Sequence, residues 1–359
     1  MAMFLLVFAL IGCSQDTADT ESDTEETDTD TEETEDTSDD DEKNKDEQSS
    51  ERTVLNIAID ATPPTLDQPR TASTAARDTA RLMFETLITT DADFKPIPML
   101  AETVDVSDDN KVYTFHLRKG IKFHNGKEMV AEDVIASMKR WLELTALSGE
   151  LFNGATWEAE DDYTVVLELA VPSPLTLDTI ATSKHAPVIM PKEVIDAAPP
   201  EGVTEYIGTG PFKFVEWKQD QYLHFTKYED YQPVDMEPNG LGGRKEALID
   251  DIYFHFVPDS STRLAGLQTG EYDFAYSIHF DNYEALQNSD VVDPLLIPGS
   301  NTILKLNNVE RIMSDPEFRK IINTALDYDE IMMAGFPNKD FYWLDSSYMH
   351  KDIKSWASQ

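Results

Sequence analysis

Cysteine and basic residues are the scarcest features of this sequence. The 359 residues contain one cysteine, Cys13, which excludes an intrachain disulfide, a cysteine-based zinc site and a redox pair. Lysine and arginine total 29 against 69 aspartate and glutamate residues, which gives a formal net charge of −40. Because so acidic a surface repels a phosphate backbone, a nucleic-acid binder of the usual electrostatic kind is also excluded.

The sequence also lacks the common motifs of catalysis. It has no Gly-x-Ser-x-Gly elbow, no His-Glu-x-x-His pair and no phosphate loop. Residues 208–211 (GTGP) lack a third glycine, and Pro211 has no N–H for a phosphate, so a tight turn before a strand is the better interpretation. The seven histidines never recur at a spacing of two or four, and we interpret them as packing residues rather than metal ligands. The carboxylate pairs 108–109 and 161–162 are typical of solvated loops. We therefore expect binding rather than an enzyme, with no cofactor and no metal.

The first 13 residues are typical of a targeting signal. Residues 1–11 are uncharged and mostly apolar, too short to span a bilayer but long enough for the core of a signal peptide. Residues 10–13 (LIGC) resemble a bacterial lipobox, in which the cysteine is lipidated and becomes the mature N-terminus. The alternative is a buried helix end with an ordinary free Cys13. We favour the lipobox, although no basic residue precedes the apolar run.

Residues 14–52 form an acidic tract with one apolar residue, Ala18. The tract has 19 Asp and Glu against 3 Lys and Arg. Such a segment cannot bury enough apolar surface to offset the entropy of ordering, and its charges repel one another. We predict a disordered tether behind the lipid anchor. The alternative is a calcium-binding acidic tail.

The remaining 307 residues alternate between strand and helix patterns, which predicts a mixed α/β body. Asn125-Gly126 predicts a hairpin turn. The predicted strands are 54–59, 112–117, 164–169, 212–217 paired with 222–227, 252–257 and 272–276. The predicted helices are 75–87, 131–144, one capped by Asp259 or Ser260 and stopped by Gly270, and one opened by a capping box at 314–317. The last helix is expected to turn Phe318, Ile321, Ile322, Ala325 and Leu326 inward.

Several strings together resemble one family. Residues 111–127 (KVYTFHLRKGIKFHNGK) with 131–134 (AEDV) resemble the signature of the bacterial extracellular solute-binding proteins of family 5, the oligopeptide, dipeptide and nickel receptors of ABC importers. Residues 208–213 (GTGPFK), 267–273 (LQTGEYD) and 318–331 (FRKIINTALDYDEI) resemble its later landmarks, in the family's order. Each string alone is weak, whereas their order makes the resemblance specific.

The resemblance implies a two-lobed periplasmic-binding-protein-like α/β fold of the cluster C type, with a hinge between the lobes and the ligand between them. The implied organisation is a signal at 1–13, a tether at 14–52, the first lobe at 53–86, an extra subdomain of that lobe at 87–200, the first lobe again at 201–303, and the start of a second lobe at 304–359. Because so few residues follow the crossover, we expect a truncated second lobe and a chain that binds its solute poorly.

The resemblance also implies ligand contacts at three places. These are the loop after the first strand (Ala61, Thr62 and Pro63), the stretch after the GEYD motif (Tyr276 and Ser277), and the crossover at Thr302. For Tyr276, core packing is nearly as strong an alternative.

The implied function is a lipid-anchored receptor on the extracellular face of the membrane, which captures peptides for an ABC permease and acts as a monomer. The alternatives are the same scaffold for another solute (a nickel chelate, haem, a sugar or a glutathione-like molecule), a non-transport surface protein, and, least favoured, an enzyme.

Overall fold

The computed structural model describes residues 53–297, 303–336 and 338–345. The predicted signal, Cys13, the tether and Thr302 lie outside these residues. The strands are β1 (Val54–Ile59), β2 (Ile88–Thr90), β3 (Pro96–Pro98), β4 (Ala101–Val106), β5 (Val112–Leu117), β6 (Thr156–Asp161), β7 (Thr164–Glu168), β8 (Phe212–Lys218), β9 (Tyr222–Lys227), β10 (Asp251–Phe256) and β11 (Phe274–Ala275). The helices are α1 (Thr74–Ala80), α2 (Ala131–Leu144), α3 (Ala146–Leu151), α4 (Thr176–Ile180), α5 (Lys192–Asp196), α6 (Ser260–Thr269), α7 (Tyr283–Gln287), α8 (Pro316–Ala325) and α9 (Tyr328–Gly335).

Two larger sheets organise the described residues, and β2 and β3 form a small third one. The first sheet has the order β11-β1-β10-β9-β8, with β1 parallel to both β10 and β11 and the remaining pairs antiparallel. The second is the antiparallel sheet β4-β5-β7-β6. A hydrophobic core is associated with each of the larger sheets. One contains Leu223, Phe225 and Phe254, and the other contains Phe115, Trp141 and Leu167.

Helix α2 has the predicted bounds, and its apolar stripe is buried. Val134, Met138 and Trp141 are all 1% exposed or less. The helix begins where the buried Asp133 carboxylate accepts hydrogen bonds from the Val130 N–H and the Lys127 ammonium. These residues recur at the 3.6-residue period of a helix, so one face of α2 is buried.

Helix α1 is shorter than predicted. It ends at Ala80, whereas the apolar pattern favoured a helix to Leu87. The Leu82 and Met83 carbonyls instead accept hydrogen bonds from the Phe212 and Gly210 N–H groups at 3.1 and 2.9 Å. Pairing with a distant segment thus replaces the last helical turns.

The glycines of the GTGP segment allow this close approach. A Cβ on Gly208 would lie 2.0 Å from the Met83 carbonyl oxygen, and one on Gly210 would lie 2.6 Å from that of Leu82. Real Cβ atoms essentially never approach other atoms so closely. The segment is a packed turn before β8, as predicted, and its Gly210 N–H is already used by the backbone.

Three further expectations need correction. The predicted strand 272–276 reduces to β11, because the Glu271 and Tyr272 N–H groups still bond to the Gly266 carbonyl and finish α6. Helix α8 is capped by Asp315 rather than Ser314, since the Asp315 carboxylate accepts the Glu317 N–H at 2.9 Å. No residue of α8 is buried, and Ile321 is 60% exposed, so the expectation of an inward stripe is wrong.

Candidate functional site

Three parallel strands end at one edge of the first sheet. In register, Ile59 of β1 pairs with Phe256 of β10, and Ala58 pairs with Ala275 of β11. The chain passes from β10 through α6 to β11 and so crosses from one side of β1 to the other. In open α/β sheets, ligands bind outside the carboxyl ends of strands at such a change of strand order. The candidate site is therefore the loops that follow β1 and β11.

The structure places five of the predicted contact residues in these two loops. Ala61 and Thr62 follow β1 and are exposed, whereas Pro63 is buried. Tyr276 follows β11 and is half-buried, and Ser277 is exposed. The Tyr276 N–H donates to the Ala58 carbonyl at 2.9 Å, which ties the second loop to the end of β1. Ligand contact by these residues stays a prediction.

Arg263 of α6 holds the loop after β11. Its guanidinium, in a residue only 2% exposed, donates to the carbonyls of Tyr276 at 2.8 Å and Ser277 at 2.7 Å. It also donates to the carbonyls of Val257 at 2.6 Å and Pro258 at 2.9 Å, which follow β10. A planar fork with five donors suits this four-way contact. It fixes two loops of the edge against each other while Ser277 adopts a left-handed φ of 54°.

Asp67 holds the far end of the loop after β1. Its fully buried carboxylate forms a two-bond ion pair with Arg140 of α2, one bond being Nη1 to Oδ1 at 2.8 Å. The same carboxylate accepts the Val203 N–H at 3.1 Å. The loop is thereby joined to the α2 helix and to residues near 203.

The Tyr276 side chain has two environments: its ring packs against apolar residues, and its hydroxyl is influenced by charged ones. Its ring packs against the first sheet's core and contacts the Phe274 ring, with centroids 5.2 Å apart. Burial raises the pKa of the Tyr276 hydroxyl, and the negative charge of Asp78 raises it further, while Arg81 and Arg77 oppose the shift. Both the packing interpretation and the contact interpretation thus have a physical basis at this residue.

Sequence reasoning missed the residues that position and charge this edge. Arg77 and Arg81 are spaced i, i+4, so they share one face of the chain around α1, and both are ion-paired to Asp78, at 2.8 and 3.7 Å. Arg263 lies one turn after the predicted helix cap at Asp259. The spacing was readable, but the direction of these side chains depends on tertiary contacts.

The described residues contain no group of three or more His, Cys, Asp or Glu side chains arranged to hold a metal ion. In the same part of the chain, no helix combines the length and the apolar character needed to cross a bilayer.

Comparison with known proteins defines the class. A sequence model of the bacterial extracellular solute-binding proteins, family 5 (middle region) matches residues 95–346. The chain belongs to this family. Its fold is the mixed α/β fold of the two-lobed periplasmic binding proteins, and the expected family and fold class are confirmed.

The relatives include receptors named for different solutes. The chain is 28% identical to a probable peptide ABC transporter periplasmic-binding protein of Sinorhizobium fredii, over 77% of this chain and 53% of that protein. It is 27% identical to a glutathione-binding protein of Pectobacterium atrosepticum, over 78% and 53%. Among solved structures, NikA from Brucella suis in complex with Fe(III)-EDTA aligns with a TM-score of 0.68 at 26% identity, over 79% of this chain and 56% of that one. The chain spans about half the length of these proteins.

Proposed function

We propose that this protein is a receptor that captures extracellular peptides and delivers them to an ABC permease without chemistry on the ligand. The observation that carries the proposal is the edge where β1, β10 and β11 end, in a chain of the solute-binding family. Arg263 and Asp67 hold the flanking loops in place before any ligand arrives. Such preorganisation lowers the entropy lost on binding.

Peptide capture suits a site without catalytic groups. A peptide held as a strand offers the same N–H and C=O groups whatever its side chains, so backbone pairing supplies affinity and wet pockets tolerate variety. Closure of two lobes around the ligand then provides a state that a permease can recognise.

A second candidate solute class is favoured by specific relatives. One similar protein is named for glutathione, and one similar structure contains Fe(III)-EDTA, so a glutathione-like molecule or a metal chelate remains the alternative. Haem, a sugar and a non-transport surface role have less support.

Mass spectrometry of the natively purified protein separates these candidates. We expect co-purifying peptides with a common backbone and varied side chains, and we expect Tyr276→Ala to weaken peptide affinity about tenfold, a larger loss than most interface residues give when truncated. Tyr163→Ala is the matched control, since Tyr163 is also partly buried but packs against the core of the second sheet. A single non-peptide mass would establish the alternative. Unchanged peptide occupancy with a large loss of stability would assign Tyr276 to the core.

The remaining parts of the proposal concern location. We propose that Cys13 is lipidated, that residues 14–52 are a disordered tether, and that the monomeric receptor stands on the extracellular face of the membrane. We also propose the domain boundaries given above, with an extra subdomain at 87–200 and the second lobe starting at 304. In a Gram-positive host, Cys13→Ala should move the protein out of the membrane fraction. Retention in that fraction would refute the anchor.

A further inference from the structure

Arg77, Asp78 and Arg81 form a charged cluster on α1 and just after it. The Asp78 carboxylate accepts two hydrogen bonds from the Arg77 guanidinium, from Nε to Oδ1 at 2.8 Å and from Nη2 to Oδ2 at 3.1 Å. Nη1 of Arg81 lies 3.7 Å from the same Oδ1, beyond hydrogen-bond distance. Two guanidiniums thus share one carboxylate, and the cluster has more positive than negative charge.

Arg81 is the less well paired of the two arginines. Across the residues that the structure describes, its guanidinium donates no hydrogen bond, and Asp78 is its only ion-pair partner. Burial lowers the pKa of Arg81, and the positive charge of Arg77 lowers it further, so the attraction of Asp78 does not offset these two effects. Because a guanidinium has five N–H donors, a second carboxylate would find both free donors and a favourable charge here.

The cluster lies beside the candidate site. Tyr276, in the loop after β11, packs against the core of the first sheet, which includes Ala80 of α1. Besides burial, the charges of all three cluster residues influence the pKa of the Tyr276 hydroxyl. The Arg81 side chain is 39% exposed, so it is accessible from the solvent. A solute held against Tyr276 therefore meets an incompletely paired cation.

We propose that Arg81 binds a carboxylate of the captured solute. The inference rests on the proposed function, because it places this contact at the same sheet edge as the peptide. Side chains vary between peptides, whereas a free terminal carboxylate is common to all of them, so a receptor that tolerates variety gains most from a cation at that end. A guanidinium binds a carboxylate through two parallel hydrogen bonds. An acidic side chain offers the same chemistry, and the experiment separates the two sources.

Ultrafiltration of the purified chain with pools of short peptides, followed by mass spectrometry of the retained fraction, tests the proposal at low ionic strength, where charges are weakly screened. One pool has apolar side chains and free C-termini, the second has the same sequences as C-terminal amides, and the third has amidated ends and one glutamate. We expect the free acids to bind about tenfold more tightly than the amides, because the amides lack one charge-assisted contact. Tight binding of the glutamate pool alone would keep the contact and assign it to an acidic side chain.

Arg81→Gln separates a ligand contact from a structural role. It should weaken binding of the free acids about tenfold and leave the amides unchanged, because only the acids lose a partner. A parallel loss of acids and amides would show a structural role and refute the contact. Arg70→Gln is the matched control, because Arg70 is an exposed arginine that lines the groove beside α2, and it should keep the full preference for acids.

Equal binding of all three pools to the wild-type chain would refute the Arg81 contact and leave the peptide receptor in place. This comparison needs no variant, so it decides the question even if Arg81→Gln does not fold. If no pool is retained, the peptide receptor is itself refuted, and the Arg81 contact is refuted with it.

Discussion

The described residues form two parts, one before residue 298 and one after residue 302, and the two parts differ in how their side chains are buried. Every buried side chain in the described part lies between Ile57 and Leu286. Residues 303–336 and 338–345, which include α8 and α9, contribute none. Aromatic rings connect them to the earlier part of the chain: Phe280 contacts Phe336 and Phe341, and Tyr283 contacts Phe341, each with centroids 5.1 Å apart.

The comparison shows that an amphipathic sequence pattern alone does not cause a helix to be buried. Helices α2 and α8 both carry an apolar stripe at helical spacing. Helix α2 packs against β6, β7 and α5, whereas Ile321 of α8 stays 60% exposed. Burial, and the stability that comes with it, depends on a facing surface.

The largest expected effect concerns the close approach of Gly208 to the 82–84 segment. Gly208→Ala should cost more than about 4 kcal/mol of unfolding free energy, because the new Cβ meets a backbone oxygen rather than a flexible side chain. Urea denaturation measures it. Gly335→Ala at the end of α9 is the control, since nothing lies within 4 Å of its added Cβ. Equal midpoints for the two variants would contradict the packing difference between the regions.

The next largest effect compares ion pairs in the two regions. Asp67→Asn keeps the side chain's shape but leaves Arg140, whose side chain is 10% exposed, without its counter-charge, which should cost about 4 kcal/mol. Glu317→Gln breaks the exposed pair with Lys320 in α8 and should cost no more than about 0.5 kcal/mol. Similar losses in the two variants would show that the Asp67 pair is not specially dependent on burial.

The accuracy of the sequence predictions does not follow this division, since exact bounds and missed bounds both occur before residue 298. Strands β1, β5 and β9 and helix α2 were predicted with their exact or nearly exact bounds, because their apolar periods match the surfaces they meet. The end of α1 and the length of β11 were missed. In both cases backbone groups bond to residues far along the chain or to a helix end, and local sequence does not encode those partners.

The candidate site was less predictable than the fold. The resemblance pointed to the loops at 61–63 and 276–277, and topology shows why they share an edge. The positioning residues Arg263 and Asp67 were not identified, because a buried guanidinium or carboxylate has the same letter in the sequence as an exposed one. Contacts at Thr302 lie outside the described residues.

A smaller loss of stability is expected as the pH falls, and it depends on His124. This histidine joins the Asn125-Gly126 hairpin to the GTGP turn: Nε2–H donates to the Gly210 carbonyl at 2.9 Å, and Nδ1 accepts the Gly208 N–H at 3.3 Å. Burial lowers the pKa of His124 from 6.5 to about 4, because the charged imidazolium would lose its hydration.

The unfolded chain therefore binds this proton first as the pH falls. Stability from His124 is complete above pH 6.5 and is lost between pH 6.5 and about 4, by about 3 kcal/mol in total. His124→Asn, whose side-chain oxygen can accept the Gly208 N–H, should flatten this part of the pH profile of unfolding free energy. A profile equally steep in the His124 variant would assign the acid sensitivity to other groups.

The smallest effect is expected at Ile321, and it tests the comparison most directly. Ile321→Ala should change the unfolding free energy by no more than about 0.5 kcal/mol, because the lost hydrocarbon is already largely in water and alanine favours a helix more than isoleucine does. The same substitution at Ile189, which is fully buried in the second sheet's core, should cost about 2–5 kcal/mol. Urea denaturation of both variants, followed by far-UV circular dichroism, measures the difference. A loss above about 1 kcal/mol for Ile321→Ala would mean that the α8 stripe is covered in solution, and the two regions would then be stabilised in the same way.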